Sequence, residues 1–576
     1  MTTTRLVEFA FSKSSGLYVY QNISAYVRSI DFGRGKSRDL DVYQAGSINV
    51  VLDNNTRAFD PQYSGTFSSE VKPAGAIKIT INGVVQFQGF ITDWSFDYQP
   101  GGDATATITG SDLLGTIAAK TLPAISVPPL LAGEQIAYVL AQPSVGINYS
   151  ARKIQQGVIN CQSTSISEGT NALDYLNSVA ATDFGELYGD AQGVLQYKDQ
   201  RQLPTAEIVG DVYVNMALNP SFEFGTTNWT NMTQVSPGGY FGSAYGATGI
   251  YFAGYYAGSY SETDSGKYFT GQSYVLSTYV KVASGSLTVT LTGWMSNGGV
   301  ASGTTQQNVQ TIAAASGWVR MNVTVSSSDI VDGIYMSLSS TASVQVDGFM
   351  ITAGTSLNDY FDGDFATAYG SGYTIYYSWA ALQGRSASSA RVIWPNTDTP
   401  TTVSISDTGS GIQYQNLNII YGSELLTNKG SVTRVGATNT LNQLDQTSID
   451  AYGIYAYSAD SYAASDVEAQ KIINLYVASY AQPEYRFESV TINLDALTLA
   501  QQNSLLALDI HDALNITYTP SKIGSALVKL HTIIGVSQNI GIDRHDITFN
   551  LQLATNQVFT LDSDFFGVLD SNILTY

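Results

Sequence analysis

Short runs in which apolar and polar residues alternate one for one recur along this chain, and that period belongs to strands rather than helices. Ile48, Val50 and Leu52 alternate with Ser47 and Asn49, while Ile77, Ile79 and Ile81 alternate with Lys78 and Thr80. Ile547, Phe549, Leu551 and Leu553 repeat the pattern near the end. Each run presents one face to a core. Asn82-Gly83 stands between Ile77–Ile81 and Val84–Phe87, and such a dipeptide supplies the two positive φ angles of a tight hairpin. With a further alternating run at Ala104–Gly110, residues 1–115 read as an antiparallel sandwich or small barrel.

The 576 residues allow about three or four domains. With 44% hydrophobic and 11% aromatic residues the chain is too apolar for disorder, and its many Tyr, Thr, Val, Ser and Gly suit strands and turns. The fold class is therefore mostly β with some α+β. A net charge of −21 disfavours stable binding to nucleic acid. Cys161 stands alone and His511, His531 and His545 are scattered, which argues against a disulfide, a Cys-rich zinc site and a His-rich metal site. The start Met1-Thr-Thr-Thr-Arg-Leu-Val-Glu has no signal-peptide pattern, and no run of about 18 apolar residues occurs, so neither a secreted precursor nor an integral membrane segment is expected.

Along the chain the pattern changes after Pro123, Pro128 and Pro129. Ala172, Leu173, Leu176, Val179 and Ala180 share one helical face that stops near Gly185, and Glu186–Tyr188 with Val194–Tyr197 reads as a hairpin. From about residue 213 to 394 the chain is poor in charge, with none between Lys281 and Arg320, and its short strands suggest an inserted two-sheet jelly roll. Beyond Pro395 the earlier style returns: Ser465-Asp-Val-Glu468 has capping-box spacing ahead of the stripe Ala469, Ile472, Ile473, Tyr476 and Tyr480. The expected division is 1–115 as an N-terminal β unit, 116–212 with 395–500 as a discontinuous α+β unit, 213–394 as the insert, 501–555 as a C-terminal β unit and 556–576 as a tail.

Chemistry-bearing motifs are few. Gly33-Arg-Gly-Lys-Ser37 lacks the first glycine of a phosphate-binding loop, since position 30 is Ile, and reads as a solvated basic turn. No Gly-x-Ser-x-Gly or His-Glu-x-x-His occurs, and Cys161 reads as a buried inert thiol. The acidic clusters Asp359, Asp362 and Asp364, and Asp562 with Asp564, read as turns or caps. Glu223 and Asp347, near the two ends of the insert, offer oxygen ligands for a structural calcium; no other cofactor is required. Tyr251, Tyr255, Tyr256 and Trp294, the last placed on a loop, are candidates for stacking on sugar faces, against the plainer reading of strand packing.

Gly46-Ser-Ile-Asn-Val-Val-Leu-Asp-Asn-Asn-Thr-Arg-Ala-Phe-Asp-Pro61, Phe87-Gln-Gly-Phe-Ile91, Leu187–Asp199 and Asp450-Ala-Tyr-Gly453 resemble the minor tail proteins that form the tail-tip hub of long-tailed bacteriophages. Asn219-Pro-Ser-Phe-Glu-Phe-Gly-Thr-Thr-Asn-Trp229, Tyr274–Lys281, Trp318-Val-Arg320 and Val346-Asp-Gly-Phe349 resemble a carbohydrate-binding jelly roll. Tyr360-Phe-Asp-Gly-Asp364, Tyr377-Ser-Trp379 and Arg385-Ser-Ala-Ser388 are similar to a closing motif of minor tail proteins, with Ala380-Ala381 where that motif carries Thr-Gly. The resemblance implies a non-enzymatic virion protein at the tail tip, a ring-forming homotrimer with distal tail and tape-measure proteins as partners. It also implies host cell-wall polysaccharide as a ligand of the insert, and DNA that passes without stable binding. The competing expectations are a polysaccharide depolymerase with an attached binding module and a glycan-binding surface adhesin.

Overall fold

The structure, a computed structural model, describes residues 3–14, 17–199, 206–236, 238–240, 245–256, 273–297, 300–327, 333–370, 373–379, 383, 387–396, 399–409 and 411–553. The tail 556–576, with Asp562 and Asp564, lies outside the described residues. The fold is mostly β, as its composition suggests.

The alternating runs from both ends of the chain enter one thirteen-stranded sheet. Strand Val27–Gly35 pairs antiparallel with Gln44–Asp53 on one side and with Leu527–Ile540 on the other, so that Ile30 faces both Val50 and Ile540. The sheet continues through Ala104–Ser111, Val84–Tyr98, Ala76–Ile81 and Arg5–Ala10 in one direction, and through His545–Leu553, Tyr485–Asn493 and Asn416–Tyr421 in the other. Asn82 and Gly83 form the expected hairpin turn, with φ of 49° and 84°. Phe9, Val50, Ile79, Phe87, Ile547 and Phe549 are fully buried and share one core. A buried polar relay fastens the two ends. Thr3 Oγ1 lies 2.9 Å from His545 Nδ1, and His545 Nε2 lies 2.9 Å from Gln538 Oε1. Gln538 Nε2 donates to Gln86 Oε1, and Gln86 Nε2 to the Leu506 carbonyl. Burial holds the His545 imidazole down at about 4, so the ring is neutral at pH 7.

This sheet joins segments that sequence reading placed in three units, 1–115, 501–555 and parts of 395–500. Local periodicity reveals a strand and its buried face but not its partner, and these partners are hundreds of residues away. The rest of 395–500 forms a small layer of its own. Strands Lys429–Arg434, Thr440–Leu444 and Ala456–Ser461 are covered by helix Asp466–Tyr480, whose Ala469, Ile472, Ile473 and Tyr476 pack with Val432 and Ile159. Ser465 Oγ caps that helix by accepting the Glu468 N–H at 3.2 Å.

Along the chain, an α+β unit follows the N-terminal strands of the large sheet. Helix Ala172–Thr182 starts at Asn171, whose side chain accepts the N–H groups of Leu173 and Asp174, and it buries Leu176, Val179 and Ala180. The hairpin Glu186–Gly189 and Leu195–Lys198 forms as expected and opens a seven-stranded sheet. That sheet runs on through Arg152–Gln155, Ile208–Asn215, Ser388–Trp394, Thr374–Trp379 and Ala368–Tyr369.

Strand Ile208–Asn215 leads into the jelly roll, and after Gly333–Ala353 the chain returns to the same sheet through Ala368–Tyr369 and Thr374–Trp379. Ser388–Trp394 then pairs antiparallel with the entry strand, Asn215 opposite Ser388, so these three strands belong to this sheet and not to the jelly roll expected to run to 394. The jelly roll comprises Gly246–Tyr256, Ser273–Lys281, Ser286–Asn297, Val300–Ala313, Trp318–Ser326 and the 21-residue strand Gly333–Ala353. The first half of Gly333–Ala353 pairs with Ser286–Asn297 and its second half with Ser273–Lys281, so it crosses from one sheet to the other. The sheets meet closely at Gly293, where a Cβ would stand 2.8 Å from Val323 Cγ2 and 3.1 Å from Leu276 Cδ2.

Gly33–Ser37 departs from the expected solvated basic turn: it closes strand Val27–Gly35, and both of its cations are buried. Arg34 Nη1 meets Asp509 Oδ1 at 2.5 Å, and Lys36 Nζ meets Glu186 Oε1 at 2.5 Å. His511 Nε2 lies 3.1 Å from the other Glu186 oxygen. The acids come from distant segments, so only the folded chain can show why these cations leave water. Burial pushes the Glu186 carboxyl up, but Lys36 and His511 outweigh it and hold it at about 2, below its ordinary 4.5. A depressed carboxyl contributes stability above its unfolded value and loses it as pH falls through the folded one. Urea midpoints should therefore drop between pH 4.5 and about 2 in the native chain. Glu186→Gln should flatten that slope and cost about 3 kcal/mol at pH 7 by taking from buried Lys36 its closest carboxylate and leaving it Asp39 at 4.0 Å; an unchanged slope would contradict the pairing.

Candidate functional site

The two outer faces of the jelly roll differ in kind. On the face built by Ser273–Lys281, Trp318–Ser326 and the second half of Gly333–Ala353, charge and host contacts gather. Lys281 Nζ lies over the Trp318 ring, and Arg320 lies over Tyr279 while donating to Ser277 Oγ at 3.1 Å. Met350 packs into a cluster with Tyr360, Phe361 and Ala390, against which Tyr279, Phe365 and Tyr377 also rest. Fully buried Asn215 fixes the joint. Its Nδ2 donates to the carbonyls of Phe349 and Phe361, and its Oδ1 accepts the N–H groups of Ala217 and Ile351. Four bonds use the full capacity of one amide. This face mounts the insert on the host.

The opposite face belongs to strands Val300–Ala313, Ser286–Asn297, the first half of Gly333–Ala353 and Gly246–Tyr256. Val289, Leu291, Met295, Ile334, Met336 and Leu338 are at most 1% exposed and turn inward. Their alternates therefore turn outward. In register, Trp294 stands opposite Tyr335, Thr292 opposite Ser337 and Thr290 opposite Ser339. On the next strand Tyr251 lies opposite Ser339 and the Tyr255 backbone opposite Tyr335. Trp294 and Tyr335 stack with centroids 5.0 Å apart and planes 6° from parallel. Tyr251 is 44% exposed. No residue in these rows is charged.

Trp294 is thus on a strand, not on the loop expected for it, because its neighbours Leu291 and Met295 fill the core and Gly293 permits the close approach of the facing sheet. Tyr251 and Trp294 occupy the same face, and Tyr255 and Tyr256 lie on the same strand as Tyr251 with side chains outside the description. Tyr335 escaped sequence reasoning, although Ile334, Met336 and Leu338 alternating with Tyr335, Ser337 and Ser339 carry the signal of a strand.

The two acids proposed for calcium have other partners. Ser221 Oγ lies 2.8 Å from Glu223 Oε2 and 3.0 Å from Asp362 Oδ2, and burial pushes both carboxyls up. Asp347 is fully buried, with Oδ2 accepting the Tyr240 N–H at 2.6 Å and Oδ1 the Gly348 N–H at 2.8 Å. Among the described residues, no group of three or more His, Cys, Asp or Glu is placed to hold a metal ion. Asp362 and Asp364 serve a turn, as the sequence suggests: Asp362 accepts from Tyr360 Oη and the Asp364 N–H, and Asp364 accepts the Trp379 indole N–H. Cys161 is fully buried, and burial pushes its thiol up. Among the described residues, no helix is long and apolar enough to cross a membrane.

No family model matches the chain, and no curated protein matches it in sequence. Among solved structures it is similar to the tail protein from Neisseria meningitidis MC58, with 8% identity, TM-score 0.42, and coverage of 95% of this chain and 96% of that one. It is similar also to the 43 kDa tail protein of prophage MuSo2 from Shewanella oneidensis, with 9% identity, TM-score 0.41, and coverage of 96% and 97%. The CBM22-1 xylan-binding domain from Paenibacillus barcinonensis matches 25% of this chain and 98% of its own, with 20% identity and TM-score 0.18. The structural neighbours of this chain are thus tail proteins over nearly its full length and carbohydrate-binding modules over about a quarter of it.

Proposed function

We propose that this chain is a non-enzymatic structural tail protein of a bacteriophage, placed at the tail tip, whose large sheet and α+β unit build a ring around the tail axis while the jelly roll contacts glycan on the host surface. The observation that carries this reading is the way the insert is mounted. It enters from and returns to one host sheet, is fastened by one face through Asn215 and Met350, and keeps an uncharged, aromatic face on the opposite side. A flat ring can desolvate the C–H patch of a sugar, and Trp294, Tyr335 and Tyr251 supply rings beside hydroxyl side chains. Several copies on one particle would turn weak single contacts into firm attachment through effective concentration. The acidic excess of the chain fits a passage that DNA crosses without sticking. The ring partners in this reading are copies of the chain itself, as a trimer, with distal tail and tape-measure proteins above and below.

Asn215 and Ser388 face each other across neighbouring strands, so a short glycine turn between them removes the insert, along with the edge strands Ala368–Tyr369 and Thr374–Trp379, and keeps the pairing of Ile208–Asn215 with Ser388–Trp394. Particles assembled with that deletion should keep their tails and lose adsorption to host cells; particles without tails would assign the insert an architectural role instead. A native mass measurement of the purified chain should give three copies, and a strictly monomeric mass at micromolar concentration would contradict the ring.

A further inference from the structure

We propose that the outer face carrying Trp294 takes an electrically neutral glycan, to the exclusion of the anionic polymers of a cell surface. The inference rests on the glycan-contact reading above and names the ligand class for that face.

The rows of the face supply aromatic rings, hydroxyls, the amide of Gln307 and the apolar Val309, and no charge. Trp294 and Tyr335 form one row, Thr292 and Ser337 the next, and Thr290, Ser339 and Tyr251 a third, with Val309 extending that row onto the strand beyond Thr290. Each serine or threonine hydroxyl both donates and accepts, the pairing that sugar hydroxyls require. A carboxylate or phosphate on the ligand would have to give up water without meeting a cation, and such a transfer is strongly unfavourable. Among the described residues, the cations of the sandwich's strands are on the other side: Lys281 against Trp318, and Arg320 against Tyr279 and Ser277. Long-range attraction does not compensate, because the chain as a whole carries −21 and repels polyanions. A neutral sugar meets neither penalty. Its binding should also ignore ionic strength, since screening acts on charges and this face has none among the described residues.

The test uses the full-length chain, with tryptophan fluorescence and affinity electrophoresis as readouts. The probes are three soluble polysaccharides, a neutral β-glucan, a neutral galactan and polygalacturonate, each at about 20 mM and about 500 mM salt. The expected result is binding to at least one neutral polymer with a Kd that moves less than about twofold with salt, and none to polygalacturonate. Trp294→Ala should weaken it by roughly tenfold or more, and Trp294→Phe, which keeps a ring on Tyr335, by less. Equal melting temperatures for the two variants separate lost contact from lost fold. Salt-sensitive binding to polygalacturonate overturns the neutral-ligand inference and leaves the glycan reading standing. Absence of binding to all three polymers overturns both. Binding to a neutral polymer that Trp294→Ala leaves untouched moves the site off this face and overturns the inference as well.

Discussion

Outside the insert, everything depends on one antiparallel ladder, Val27–Gly35 against Leu527–Ile540. It closes the chain over nearly its whole length, and such a closure is costly in entropy and slow to find. Its reward is a core that neither end could build alone. At the end of Val27–Gly35 stand Arg34 and Lys36, whose acids Asp509 and Glu186 come from a C-terminal loop and from the α+β hairpin. Buried ion pairs add little net stability over an apolar packing. What they add is a penalty for misalignment, since a shift of one residue would draw Arg34 and Lys36 away from Asp509 and Glu186.

The insert obeys a second constraint, that of a sandwich with two outer faces and one neighbour. The face that meets the host contains the charges, the buried amide of Asn215 and the aromatic cluster around Met350. The opposite face is left with uncharged hydroxyls and rings. The low charge of residues 282–319 is therefore not spread evenly over the domain: it marks the strands that face away from the mount.

Strands, hairpins and helix starts were legible in the sequence wherever a local rule governs them. Asn82-Gly83, Asn171 and Ser465 act through their own neighbours, and their turn and caps appear at the places their residue types indicate. Pairings across the chain were not legible, because period-two alternation tells which face is buried and is silent on which strand lies alongside. The same gap explains the misreading of Gly33–Ser37, whose basic residues look solvated until Glu186 and Asp509 are brought to them. At the candidate site, sequence singled out Trp294 and Tyr251 by residue type. The partner that gives Trp294 its geometry, Tyr335, became visible only through strand register.

The entry strand also has a mechanical meaning. When the insert grips a surface and the host body is pulled away, tension enters Ile208–Asn215 at Asn215, the end of that strand. The strand is then loaded lengthwise, and the ladder bonds to its flanking strands Arg152–Gln155 and Ser388–Trp394, which lie across that direction, share the load instead of opening one after another. The joint is built as a tether in shear.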